Sequence, residues 1–178
     1  MLLPEQIDFH NRWMAKAVNT PIADVNGCID KYVTLFVAYN ALYNTVPEKI
    51  DVNNGVRIRP SVGDKQSATT EVRNFIGAAN LFSELTLQNK DPAITELIQT
   101  LQLKMFNIKL DNRGNAQSHI DLQLEANLLS PDPNIKAQAL LEIIYYVRCN
   151  VVHGRKNLQA YQALLLEPLI SILLSINP

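Results

Sequence analysis

From Val25 to Val46 the chain runs Ile29, Tyr32, Val33, Leu35, Phe36, Val37, Tyr39, Ala41, Leu42 and Tyr43, apolar nearly all round a helix, until Pro47 stops it. A helix without a polar face is stable only inside a shell of other elements. This stretch therefore predicts a central, largely buried helix that the rest of the chain must wrap. Its aromatic side chains have the chemistry of a base-stacking platform, but at this spacing they read first as core.

The remaining periodicity supplies the wrapping. Ile7, Trp13, Met14, Ala17 and Val18 predict a short first helix from Glu5 to about Val18, ending before Thr20-Pro21. Residues 47–63, with Asn53-Asn54-Gly55 and Pro60, read as a turn-rich loop; Arg57, Arg59 and Lys65 in or beside it are either solvated charges or phosphate contacts. A third helix, capped by Asp64 or Ser67, is expected to run to about Thr86, and Asp91-Pro92 opens a fourth that reaches Met105. Phe106 to Asp111 and His119 to Leu124 alternate apolar and polar residues on either side of Asn112-Arg113-Gly114-Asn115, which predicts a small β-hairpin or an ordered loop inserted over 106–130. After Ser130-Pro131-Asp132-Pro133, a helix from about Asn134 to Val152 turns Ala137, Leu140, Leu141, Ile144, Tyr145 and Val152 inward, with Gly154 at its C-cap. A last helix, about Leu158 to Ile176, is expected to bend or break at Pro168. The expected fold is all-α, a single domain over 1–178 built as a bundle of about five to six helices with that minor insertion.

Composition narrows the function classes. The 178 residues suit one domain, and 47% hydrophobic against 19% charged residues excludes a disordered tail. Sixteen Lys and Arg against 17 Asp and Glu leave a net charge of −1, so any nucleic-acid contact must come from a local patch and not from a broadly basic surface. Met1 to Glu5 lacks a secretory signal's basic start, and Leu164–Ile176, interrupted by Glu167 and Pro168, is too short for a membrane span, so a cytoplasmic protein without membrane contact is expected. Cys28 and Cys149 have no partner spacing for a disulfide framework or a zinc site; both read as reduced core thiols, with no metal or cofactor implied.

The stretch Arg148-Cys149-Asn150-Val151-Val152-His153-Gly154-Arg155-Lys156 concentrates fixed positive charge, amide donors and an imidazole at one helix end. On a regular helix Asn150 and Cys149 each share a face with His153, whereas Arg148, five residues away at roughly 100° per residue, points about 140° from it. Convergence of Arg148 with His153 requires the long guanidinium arm, a helix end near Gly154, or a second subunit. The plain structural reading is that these cations complement the negative end of the helix dipole and cap its last carbonyls.

Arg148 to His153, followed by Gly154, matches the Arg-x4-His pattern of the HEPN superfamily (higher eukaryotes and prokaryotes nucleotide-binding domains), which the chain resembles. Tyr39-Asn40-Ala41-Leu42-Tyr43 is similar to that superfamily's Phe-Asn-x-Leu-Tyr helix, with Tyr39 in place of Phe, and the resemblance covers about Cys28 to Ile176. It implies a helical bundle, a homodimer that brings two motifs face to face, and a metal-independent endoribonuclease of the kind found in toxin–antitoxin and phage-defence systems, with RNA as substrate and an antitoxin protein as a partner. Carried over by position, His153 is the general acid or base at the ribose 2′-hydroxyl and leaving oxygen, and Arg148 holds the scissile phosphate; products are a 2′,3′-cyclic phosphate and a 5′-hydroxyl. The pattern commonly has Asn, Asp or His directly after the arginine. Here that position is Cys149, so Asn150 is the candidate for the polar catalytic contact, with Arg155 and Lys156 as candidate substrate-binding cations or solvated helix-end charges. The alternative function is a non-catalytic module of the same family that binds nucleotide, RNA or a partner protein.

Overall fold

The computed structural model describes residues 4–44, 62–152 and 159–177; these are mostly helical, with no strand among the described residues. Helix α1 (Pro4–Asn19) leads through a short connection to α2 (Val25–Tyr43). Asp24 caps α2 by accepting the Gly27 N–H at 2.9 Å. The connection is tight enough to demand glycine, because a Cβ at Gly27 would stand 2.5 Å from the Pro21 carbonyl oxygen. The expected loop charges Arg57 and Arg59 lie outside the described residues; Lys65 belongs to a helix.

The predicted third helix is several pieces. It begins as α3 (Asp64–Gln66), widens into a π turn (Ser67–Glu71), resumes as α4 (Val72–Ile76), and breaks at Gly77 before α5 (Ala78–Leu87). Gly77 has φ +82°, a left-handed conformation that other residues adopt only with strain, and that is what ends α4. Helix α6 (Asp91–Gln102) follows, with Lys90 and not Asp91 at the cap position and Pro92 in the first turn, where its missing N–H costs nothing.

The expected hairpin does not form. Residues 106–109 carry no regular structure, and Phe106, Ile108 and Leu110 are buried in alternation, but His119–Leu124, expected to supply the returning strand, lies within helix α7 (Ser118–Leu128). A lone bridge between Leu110 and Ala116 is all that remains of the ladder. Side chains replace the partner strand: the Asp121 carboxylate accepts the Ile108 and Lys109 N–H groups at 3.1 and 2.8 Å, and the Asn150 amide donates to the Ile108 carbonyl at 2.9 Å. Once these groups are satisfied, nothing forces a second strand to pair. The turn between the segments is held by Asp111, whose Oδ1 accepts the Arg113 and Asn115 N–H groups, each at 2.8 Å.

Helix α8 (Pro133–Val152) and helix α9 (Ala163–Ile176), entered through a 3₁₀ turn at Ala160–Gln162, complete the fold. In α8 the expected inward set holds for Ala137, Leu140, Leu141 and Ile144, while Tyr145 is half-buried and Val152 exposed. One cluster of buried apolar side chains runs from Ala17 to Ile176, with α2 packed against α1, α8 and α9. Helix α9 passes through Pro168 without ending. Proline removes the N–H that would bond the Leu164 carbonyl, and the buried Thr100 hydroxyl donates to that carbonyl at 3.3 Å instead. Most apolar residues of α9 are spent inside the chain: Leu165, Leu166, Leu169, Ile170, Ile172 and Leu173 are buried, while Leu164 is exposed. No helix of the described residues is long and apolar enough to cross a membrane.

Two outcomes are expected. Thr100→Val removes this donor from a part-buried carbonyl on an exposed residue and should lower stability by about 0.5–1 kcal/mol in urea denaturation; an unchanged midpoint would show that the carbonyl finds another donor. The bonds from the Asn115 side chain and backbone, then from Arg113, hold the Asp111 carboxyl below its ordinary pKa. A depressed carboxyl contributes its turn-holding bonds fully above the ordinary carboxylate range and loses them only as pH falls below it. The amide resonances of Arg113 and Asn115 should therefore stay in place down to about pH 4 and move only beneath it, and movement at higher pH would contradict the bonding.

Candidate functional site

Helix α8 presents a polar stripe to the α3 and π-turn segment, which runs alongside it. Gln138, Glu142 and Tyr145 recur at the four- and three-residue spacing of one helix face. The Gln138 amide donates to Thr69 Oγ1 at 3.3 Å, Glu142 pairs with Lys65 at 3.1 Å, and the Tyr145 hydroxyl donates to Asp64 Oδ2 at 3.1 Å. The stripe ends at Arg148, whose Nη1 is 3.7 Å from the same Asp64 oxygen.

Helix α2 meets this stripe from the other side. The Tyr43 hydroxyl donates to Asp64 Oδ1 at 2.7 Å, the Tyr39 hydroxyl to the Ala68 carbonyl inside the π turn at 2.6 Å, and the Phe36 ring lies 5.2 Å from the Arg148 guanidinium carbon. Both stretches singled out in the sequence, the aromatic run of α2 and the motif of α8, thus meet through Asp64. A guanidinium over an aromatic face is attracted by the ring quadrupole. At 3.7 Å the Asp64 pair is longer than the roughly 2.7–2.9 Å of a charge-assisted hydrogen bond, so the carboxylate attracts Arg148 without a short, bidentate grip on its donors.

The protonation states follow from these surroundings. Burial, reinforced by the Asp64 carboxylate, pushes the Tyr43 phenol far above its ordinary range; burial and the neighbouring Cys149 and Asp64 do the same to Tyr145. Both phenols keep their protons and act as donors. For Arg148, burial works against the charge, but Cys149 and Asp64 outweigh it and the guanidinium is held above its ordinary value. The group stays cationic throughout.

The sequence candidates separate. Arg148 sits in the cluster, 23% exposed. Asn150, two residues on, is buried, and its amide is occupied with the Ile108 carbonyl at 2.9 Å and the Asn107 carbonyl at 3.4 Å. In this structure it anchors the 106–110 segment to α8 and does not join the Arg148 cluster. His153, Gly154, Arg155 and Lys156 lie outside the described residues. Cys28 is buried, whereas Cys149 is only half-buried, its Sγ 4.0 Å from Arg148 Nη1. Among the described residues no group of three or more His, Cys, Asp or Glu is placed to hold a metal ion. Sequence reading missed Asp64 as the organising group, since it lies 21 residues from Tyr43 and 81 from Tyr145 and carries only the signal of an acid at a helix start. No family model matches the chain, and no curated protein or solved structure does either.

Tyr43→Phe removes a buried donor to a carboxylate and should cost about 1–2 kcal/mol, the charged acceptor being half-exposed and able to recruit water. In a double-mutant cycle with Asp64→Ala, which removes the acceptor, denaturation should return a coupling of at least about 0.5 kcal/mol between the two positions. Strict additivity would mean that the 2.7 Å contact does not matter to the folded state.

Proposed function

We propose that the protein is a metal-independent endoribonuclease of HEPN type in which Arg148 and His153 act on a single phosphodiester. The observation that carries the reading is the environment of Arg148: a permanently charged guanidinium, partly desolvated on the Phe36 ring and balanced by one loosely placed carboxylate. Partial desolvation strengthens a cation's hold on a phosphate oxygen. The incoming diester takes the place of Asp64 as the counter-charge, and the planar guanidinium suits two of its oxygens.

The reaction divides between the two residues. An imidazole removes the proton of the ribose 2′-hydroxyl, the 2′-oxygen attacks phosphorus, and the bond to the 5′-oxygen breaks. That oxygen leaves as a hydroxyl once it has received a proton from an imidazolium, so the products are a 2′,3′-cyclic phosphate and a 5′-hydroxyl end. An unperturbed imidazole titrates close enough to neutrality to play either part. Arg148 stabilises the charge gathered on the phosphoryl oxygens as the 2′-oxygen adds. A homodimer with two facing motifs supplies one imidazole as base and one as acid; action on cellular or phage RNA in a cytoplasmic toxin–antitoxin or defence setting, with an antitoxin protein to restrain it, is the biological form of this activity. Arg155 and Lys156, which directly follow Gly154, are the flanking substrate-binding cations in this reading.

A second reading is favoured by the same cluster. Because Arg148 already joins α2, α3 and α8 through Phe36 and Asp64, it also serves as a structural tie, as in a non-catalytic module that binds nucleotide, RNA or a protein partner. Cleavage of single-stranded and hairpin RNA in excess EDTA separates the two. The ribonuclease reading expects cleavage with 2′,3′-cyclic ends that His153→Ala reduces by at least about a hundredfold without lowering the melting temperature. Equal cleavage by wild type and His153→Ala, or none by either, would falsify it.

A further inference from the structure

Beside Arg148 lies a cavity of about 310 Å3 between α3, the 106–110 segment and α8. We propose that it is an anion subsite that holds the RNA phosphate next to the one at Arg148, with Lys65 and Lys109 as its ligands; the assignment rests on the ribonuclease reading above. The two lysines come from separate parts of the chain, and both ammonium groups stand over the ring of the buried Tyr146, at 4.9 and 4.4 Å from its centre. A cation–π contact holds an ammonium in position and leaves donors for an anion on its other side. Among the described residues, the lining contains these two cations and no carboxylate. Glu142 meets Lys65 at 3.1 Å but lies outside the lining.

The cavity also has the right neighbours. Tyr145 and Cys149 form part of its wall. The Tyr145 hydroxyl is 3.1 Å from the carboxylate that pairs with Arg148, and Cys149 Sγ is 4.0 Å from Arg148 Nη1. The cavity is thus adjacent to the guanidinium, which in this proposal lets a strand held at Arg148 set a neighbouring phosphate between the two lysines. Its volume is at the small end of the roughly 300–1,000 Å3 of small-ligand sites, room for a phosphate and part of its nucleotide and not for a folded partner. Tyr146 is too buried to stack a base, so the site reads backbone charge and not sequence.

The test uses the full chain with two probes: a 2′-O-methyl RNA oligonucleotide, which cannot be cleaved, and adenosine 5′-monophosphate, which supplies the same phosphate chemistry without a strand. Lys65→Gln and Lys109→Gln, each checked for unchanged melting, should weaken oligonucleotide binding by about tenfold and lower the salt slope by about 0.7 for each lysine removed, with Lys109→Arg restoring it. Bound oligonucleotide should also slow alkylation of Cys149 by iodoacetamide, with buried Cys28 as internal control. Oligonucleotide binding that depends on Arg148 but is unaffected by both glutamine variants overturns the subsite and leaves the ribonuclease reading standing. Lysine-dependent binding of adenosine monophosphate with no RNA binding or cleavage keeps the anion site and overturns the ribonuclease reading. Failure to bind either probe overturns both.

Discussion

Helix α2 is enclosed on nearly every side, and the hydroxyls of its three tyrosines must each find an acceptor inside the protein, because a buried phenol without a partner forfeits its hydrogen bonds to water. Tyr32 donates to the Ile144 carbonyl of α8 at 2.6 Å, Tyr39 to Ala68 in the π turn and Tyr43 to Asp64 at the start of α3. These bonds set where α8 and the 64–71 segment lie around α2. The geometry of the candidate site follows, since Asp64 is held against Arg148 by hydroxyls whose positions the core dictates. The π turn belongs to the same arrangement: the widened turn presents the Ala68 carbonyl to Tyr39 while Thr69 turns toward Gln138.

Around Arg148 the balance is between holding a cation and consuming it. A short bidentate partner would neutralise the guanidinium and occupy its donors; isolation in the core would make the charge too costly to keep. Here an aromatic face, one carboxylate at 3.7 Å and partial exposure keep the charge on and its donors within reach of another anion. The same principle recurs at the adjoining cavity, where Lys65 and Lys109 are positioned by the Tyr146 ring. Fixed positive charge is thus gathered on one side of α8 in a protein whose net charge is only −1.

Much of the helical framework was legible because its signals are local. Pro92 in a first turn, the all-apolar run of α2 and the proline-marked start of α8 act within a few residues, and α1, α2, α6 and α8 start or end close to where those signals place them. The hairpin was misread for a physical reason. Residues 106–110 do alternate as a strand does, but Asp121 and Asn150 satisfy their backbone groups, and His119 to Leu124 is left to form helix. Helix α9 does not break at Pro168, and the Thr100 hydroxyl that bonds the freed carbonyl belongs to a different helix, out of reach of any local signal. Asn150 shows the limit for sites: spacing places it near the motif, yet a backbone carbonyl more than 40 residues away takes its amide.

Local sequence was enough for a helical bundle with a buried aromatic helix at its centre and Arg148 near the end of a long helix, though not for the 106–130 segment, since periodicity, capping and proline positions are properties of neighbouring residues. Which groups surround Arg148 was decided only by tertiary structure. Asp64 and Phe36 reach it from two other helices, Tyr43 and Tyr145 hold Asp64 in place, and no spacing along the chain encodes a meeting between side chains brought together by the packing of a common core.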